Sequence, residues 1–220
     1  MVERAVRYIS IFLALFIVLP LHEFAHAYVA VKSGDYTPKV CGRYTLNPLA
    51  HFDVLGLLMF VMAGFGWAKP VPVNPANFKR YKLDSVLVSI AGVLMNYITA
   101  FLFLPLYYLS LYLPEFGLFT TVLQSSLYYA VILSLVFFVF NLLPIFPLDG
   151  FRAIDCFIKR RTKFYYDYKT YGIYLLYGLI LLSIIADFTG LYYLDILSLV
   201  INRAVGYIMV PITAFWGLIF

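Results

Sequence analysis

Long apolar runs separated by short polar clusters set the organisation of this chain. Uncharged or nearly uncharged stretches cover about Tyr8–Val31, Val54–Ala68, Ser85–Leu113, Val122–Phe146, Tyr171–Ala186 and Leu191–Phe220. A membrane-crossing helix needs roughly 20 predominantly apolar residues. The runs mark candidate spans, the last one interrupted by Asp195 and Arg203. Val54–Ala68, at about 15 residues, fits a re-entrant or interfacial element. Pro105 predicts a kink in the third run. Between the first two runs, Gly34, Pro38, Gly42 and Pro48 punctuate a Thr-, Tyr- and Val-containing segment up to Asp53, the pattern of short strands or a hairpin. Gly66–Pro75 holds Pro70, Pro72 and Pro75 and reads as extended chain, because each proline removes a helix donor and pushes its predecessor out of the helical region. No internal repeat or low-complexity segment is visible. The expected architecture is an all-α polytopic membrane protein of about five to six membrane-embedded helices, with a short membrane-associated β-hairpin or extended segment.

Composition agrees. The chain is 64% hydrophobic and 12% charged, with a mean hydropathy of +0.91, against about 45–50% and about 25% in soluble domains. Its net charge of +5 does not point to nucleic acid. The Lys and Arg residues sit in short clusters between apolar runs, as loops held against an anionic lipid leaflet do. Cys41 and Cys156 lack a CxxC spacing and are too few for a disulfide framework. Glu3, Arg4 and Arg7 ahead of Ile9–Leu19 resemble a secretory leader, but no A-x-A-like cleavage site follows and the run continues past Pro20. A retained membrane helix is expected. Lys79, Arg80 and Lys82 precede one long run, Lys159, Arg160, Arg161, Lys163 and Lys169 follow the next, and the loop between carries Glu115 alone. The positive-inside rule places both basic clusters in the cytoplasm and Glu115 outside.

The chemistry concentrates in His22-Glu23-Phe24-Ala25-His26. Residues four apart on a helix project from one face, so His22 and His26 can reach one zinc ion at about 2.0–2.1 Å. Glu23 is then placed to deprotonate a bound water. A carboxylate within a membrane helix costs about 2.5–3.5 kcal/mol, which marks it as functional. A catalytic zinc takes a third protein ligand and keeps an open position. Asp149, His51, Asp53, Asp155, Asp187 and Asp195 are the candidates. Asp149 follows Pro144 and Pro147, which break a helix, and irregular backbone at membrane depth is tolerated where protein buries it or it lines a cavity.

His22–His26, the Gly92–Asn96 stretch and Asn141–Gly150 together resemble the HExxH, GxxxN and NxxPxxPLDG motifs of the site-2 protease family, membrane-embedded zinc metalloproteases that cut transmembrane segments of other proteins. Leu46-Asn47-Pro48 and Gly66–Pro75 add likeness to a compact prokaryotic branch without PDZ or CBS domains. The likeness runs from about residue 15 to 155, in the right order. It implies that His22, His26 and Asp149 bind one zinc, that Glu23 is the general base, and that Asn96 and Asn141 assist substrate or oxyanion. Where the family often has Pro after the motif glycine, this chain has Val93, with Gly92 and Asn96 still one turn apart. The implied organisation is a single domain over 1–220, with a catalytic core of about 8–155 and accessory helices over about 171–220. Its partners would be transmembrane protein substrates and lipid.

The ligands share a depth on one condition. Asp149 precedes Lys159 by about 15 Å of helix, and His22–His26 precedes Val31 by roughly 7–14 Å. These depths match only if the first helix ends on the cytoplasmic side, so that Val54–Ala68 enters and leaves on that side. Arg43–Pro48 and Gly66–Asn74 then become edges to which an unwound substrate could add as a strand. His51 and Asp53 read as locally hydrogen-bonded loop residues, and otherwise as partners that orient the metal ligands, as gating residues or as an alternative ligand set. Two other classes remain open: a transporter, whose embedded His, Glu and Asp carry protons or metal, and an inactive relative that binds membrane segments without cutting them.

Overall fold

The computed structural model describes residues 2–63 and 66–220 of the chain. Its helices are α1 (Val2–Lys32), α2 (Thr37–Val40), α3 (Pro48–His51), α4 (Val54–Ala63), α5 (Tyr81–Ser110), α6 (Leu118–Leu142), α7 (Asp149–Asp155), α8 (Lys163–Thr189) and α9 (Ile196–Trp216). Among the described residues no strand forms, and five helices (α1, α5, α6, α8 and α9) are long and apolar enough to cross a membrane. The protein is a multi-pass membrane protein.

The centre is a mutually packed trio of α1, α5 and α6. Small residues allow the close approach: Ala14, Val18 and Ala130 form one fully buried cluster between α1 and α6, as helices do where lipid offers no hydrophobic drive and van der Waals fit decides. Ala100, Leu104, Val131, Leu135 and Val139 join Ile201, Val205 and Ile212 of α9 in a second core. α8 packs Leu176 and Ile180 on Leu148. Near its start, the Lys169 ammonium lies 4.3 Å over the Phe146 ring. These contacts brace the irregular stretch between α6 and α7.

The expected hairpin in Gly34–Asp53 is not there. Pro38 and Pro48 sit in the first turn of α2 and α3, and the Asn47 side chain accepts from Leu49 N–H. An Asx cap followed by proline is a helix-start signal, and here it outweighs the strand propensity of the surrounding Thr, Tyr and Val. Gly66–Asn74 is extended, as expected, with one antiparallel bridge between Phe52 and Ala68. That bridge, and the Lys69 N–H to His51 carbonyl bond of 2.7 Å, bring the two ends of the segment containing α4 together. Lys79 N–H likewise bonds the Ser33 carbonyl at 3.0 Å, so α1 ends where α5 begins. The linker between them leaves and returns at one end of the bundle, and α4, about 15 Å long, does not carry it across.

Candidate metal centre

One face of α1, one of α5 and the first turn of α7 build the site. His22 and His26 project from the same side of α1, and both are buried. α6 stops at Leu142 and α7 starts at Asp149, so the carboxylate enters on a fresh helix start at the depth of the histidines. Gly150 permits this turn-back: a Cβ there would lie within 3.0 Å of the Leu142 and Leu143 carbonyl oxygens.

His26 Nε2 lies 3.0 Å from His22 Nε2 and 3.1 Å from Asp149 Oδ2, and His22 Nε2 lies 3.3 Å from the same oxygen. Donors held at about 2.0–2.1 Å around a tetrahedral ion are about 3.3–3.4 Å apart, close to this triangle. Three lone-pair donors facing one another at that range repel unless a cation or hydrogens lie between them. The donor set, two imidazoles and one carboxylate, suits zinc with a fourth position left open.

α5 backs the site with one stripe. The Val88 carbonyl accepts from His26 Nδ1 at 2.6 Å, which leaves the Nε2 lone pair facing the other donors. One turn on, Gly92 provides clearance: a Cβ there would come within 3.0 Å of His26 Nε2 and of His22 Cε1. A further turn on, the fully buried Asn96 amide lies 3.0 Å from His22 Nδ1. Asn96 therefore stands behind a ligand ring.

Beside the triangle, Glu23 Oε2 accepts the Val71 N–H at 3.0 Å. Val71 lies between Pro70 and Pro72 in the extended strap, and the strap is tied along α1 at successive points. After Val71, Asn74 N–H donates to Asp35 Oδ2 at 2.7 Å and Asn77 Nδ2 donates to Asp35 Oδ1 at 2.8 Å. Asp35 is fully buried just beyond α1. Burial works to raise its carboxyl, but the bonds from Thr37, Asn74 and Asn77 outweigh it and hold the group below its ordinary value.

The other acidic and histidine candidates go elsewhere. His51 Nε2 bonds the Thr45 carbonyl and Asp53 accepts Gly56 N–H at the start of α4. Asp155 accepts the Tyr165 hydroxyl, and Asp195 caps α9 through Ser198 N–H. Asp187 is exposed. No ion pair joins Asp195 to Arg203 among the described residues. Asn141 donates to the Phe137 carbonyl of its own helix. Sequence reasoning passed over the roles of Val88 and Val71, which act through backbone atoms. For Val88 the i, i+4, i+8 spacing with Gly92 and Asn96 was the available signal.

A model of peptidase family M50 matches residues 116–185. A protein of Bacillus subtilis (strain 168) named "Putative zinc metalloprotease YwhC" is 47% identical over 148 residues, which is 65% of this chain and 66% of that protein. Two Rip2 proteins carry the same description. That of Mycolicibacterium smegmatis is 30% identical, over 73% of this chain and 63% of the relative. That of Mycobacterium tuberculosis (strain H37Rv) is 33% identical, over 66% and 56%. The chain thus spans less than two thirds of the length of these curated relatives. No solved structure matches it.

Proposed function

Because the chain belongs to peptidase family M50, we propose that it is an intramembrane zinc metalloprotease, hydrolysing peptide bonds in or near transmembrane segments of membrane-anchored proteins. The observation that carries this reading is the buried triangle of His22, His26 and Asp149, whose ligand atoms all lie within 4.8 Å of one another. These three residues would hold one zinc ion, which, when bound, polarises water and the scissile carbonyl.

The protein's own groups do the proton work. Glu23 takes the proton of the attacking water and returns it to the leaving amine. Its Oε2 is fixed by the Val71 N–H, so the second oxygen is the one free to face the water. Among the described residues the Asn141 amide oxygen has no hydrogen-bond partner, which leaves it available to accept from a substrate backbone N–H. The basic end of the bundle, where α1 ends and α5 begins, faces the cytoplasm by the positive-inside rule, and the site opens toward it. Strand addition of the substrate on the strap would draw mainly on carbonyls. Pro70 and Pro72 lack N–H groups, and those of Lys69 and Val71 are already bonded to His51 and Glu23.

The test measures zinc in the purified protein and cleavage of a membrane-spanning substrate. Glu23→Gln should keep zinc and lose about 10²–10⁴-fold in rate, the usual share of a general base. Wild-type protein that neither holds zinc nor cuts would exclude the reading.

A further inference from the structure

We propose that Asn96 is a positioning residue that sets His22 as a metal ligand by accepting a hydrogen from its Nδ1. The inference rests on the zinc reading above but concerns a different group from those that reading uses.

An imidazole can bind a metal through Nε2 only if that nitrogen carries no hydrogen, so the hydrogen of the neutral ring must sit on Nδ1. For His26 the requirement is met visibly, by the Val88 carbonyl at 2.6 Å from Nδ1. A carbonyl is an acceptor only, so the Nδ1 atom it faces must donate. Among the described residues no such carbonyl bonds His22; its Nδ1 partner is the Asn96 amide at 3.0 Å. An amide works in two orientations of nearly identical shape. With Nδ2 toward His22, the ring hydrogen is forced onto Nε2, toward Asp149 Oδ2 at 3.3 Å, and the lone pair needed for a metal is lost. Turned end for end, Oδ1 takes the place 3.0 Å from Nδ1, receives its hydrogen, and frees Nε2. The convergence of His22 Nε2 on the other two ligand atoms therefore favours this orientation.

Position supports the assignment. Val88, Gly92 and Asn96 form one stripe of α5, and each serves the histidine pair: an acceptor for His26, clearance for both rings, and an acceptor for His22. With full burial behind the ring, Asn96 does not face the open side of the triangle. The positioning role is distinct from the substrate or oxyanion role that the motif resemblance implies.

The experiment pairs zinc affinity with the ring state of His22. Asn96→Leu keeps volume and removes the acceptor, and should weaken zinc binding by about 10–100-fold, the usual loss when such a partner is removed. Asn96→Asp keeps an acceptor and should stay within severalfold of wild type. In metal-free wild-type protein with ¹⁵N-labelled histidine, His22 Nδ1 should carry the hydrogen; in Asn96→Leu it should be shared between the two nitrogens. Wild-type affinity in Asn96→Leu, equal weakness of Asn96→Asp and Asn96→Leu, or a bare Nδ1 in the wild type would each overturn the inference. The ring measurement on the wild type needs neither metal nor a folded variant. A wild type that binds no zinc yet shows Nδ1–H would sink the protease reading and leave the assignment of Asn96 standing.

Discussion

Each side chain at the site depends on a neighbour that carries no chemistry itself. Gly92 shows this most sharply. Its missing Cβ is the space that His22 and His26 occupy, so Gly92→Ala must push the rings or move α5. Close packing leaves no room to absorb a methyl group. The expected outcome is loss of most bound zinc and of cleavage, while detergent-solubilised protein stays folded; metal analysis and a melting curve check both. A variant with a full zinc complement would show that the rings can move aside. The adjacent Val93 departs from the proline often found there in the family, and the α5 stripe keeps its spacing without it: Val88, Gly92 and Asn96 all face the histidines.

Among elements, the strap and the broken helix position the chemistry. The strap reaches Glu23 because Asp35 pins its far end, and Asp35 does so only as a carboxylate. Its value in the folded protein lies below the ordinary one, so the anchor is fully present above the ordinary carboxylate value. It weakens as pH falls through the lower, folded value. Limited proteolysis of the 66–77 segment should therefore accelerate below the ordinary carboxylate range and stay flat above it. Asp35→Ala should accelerate it at neutral pH as well. Each backbone donor left unpaired there costs about 1–3 kcal/mol, equivalent to a rise in strap opening of roughly tenfold or more. Unchanged proteolysis in Asp35→Ala would mean that the Lys69 and Val71 ties hold the strap alone. The hairpin expected before α4 shows the opposite balance. Local capping by Asn47 and the two early prolines outweighed residue-type propensity, and the cue lay in the sequence as Asn-Pro.

For the whole molecule the decisive feature is that α1 ends beside the start of α5. This places the exposed Cys41, in the linker between them, on the same side as Lys79, Arg80 and Lys82. In intact cells a membrane-impermeant thiol reagent should leave Cys41 unmodified until the membrane is opened, and buried Cys156, beside Lys82 at the same end, should add a slow background only then. A cysteine placed at Glu115 should react from outside at once. Labelling of Cys41 in sealed cells would place that end of the bundle outside and overturn the cytoplasmic orientation proposed for the site. The sequence by itself determined the long apolar helices, the break before Asp149 and the spacing of His22 and His26. Each of these follows from local periodicity, proline chemistry and charge bias. Local pattern alone left the third ligand open among six residues, because a carboxylate's partners lie far along the chain, and the motif resemblance then pointed to Asp149. Only tertiary structure brought Asp149 to the two histidines, returned the α4 linker to its own side, and set Asn96 behind His22 rather than in front of the site. Those outcomes depend on how α1, α5 and α6 pack, and the zinc site proposed at the HExxH motif depends on that packing as much as on its own five residues.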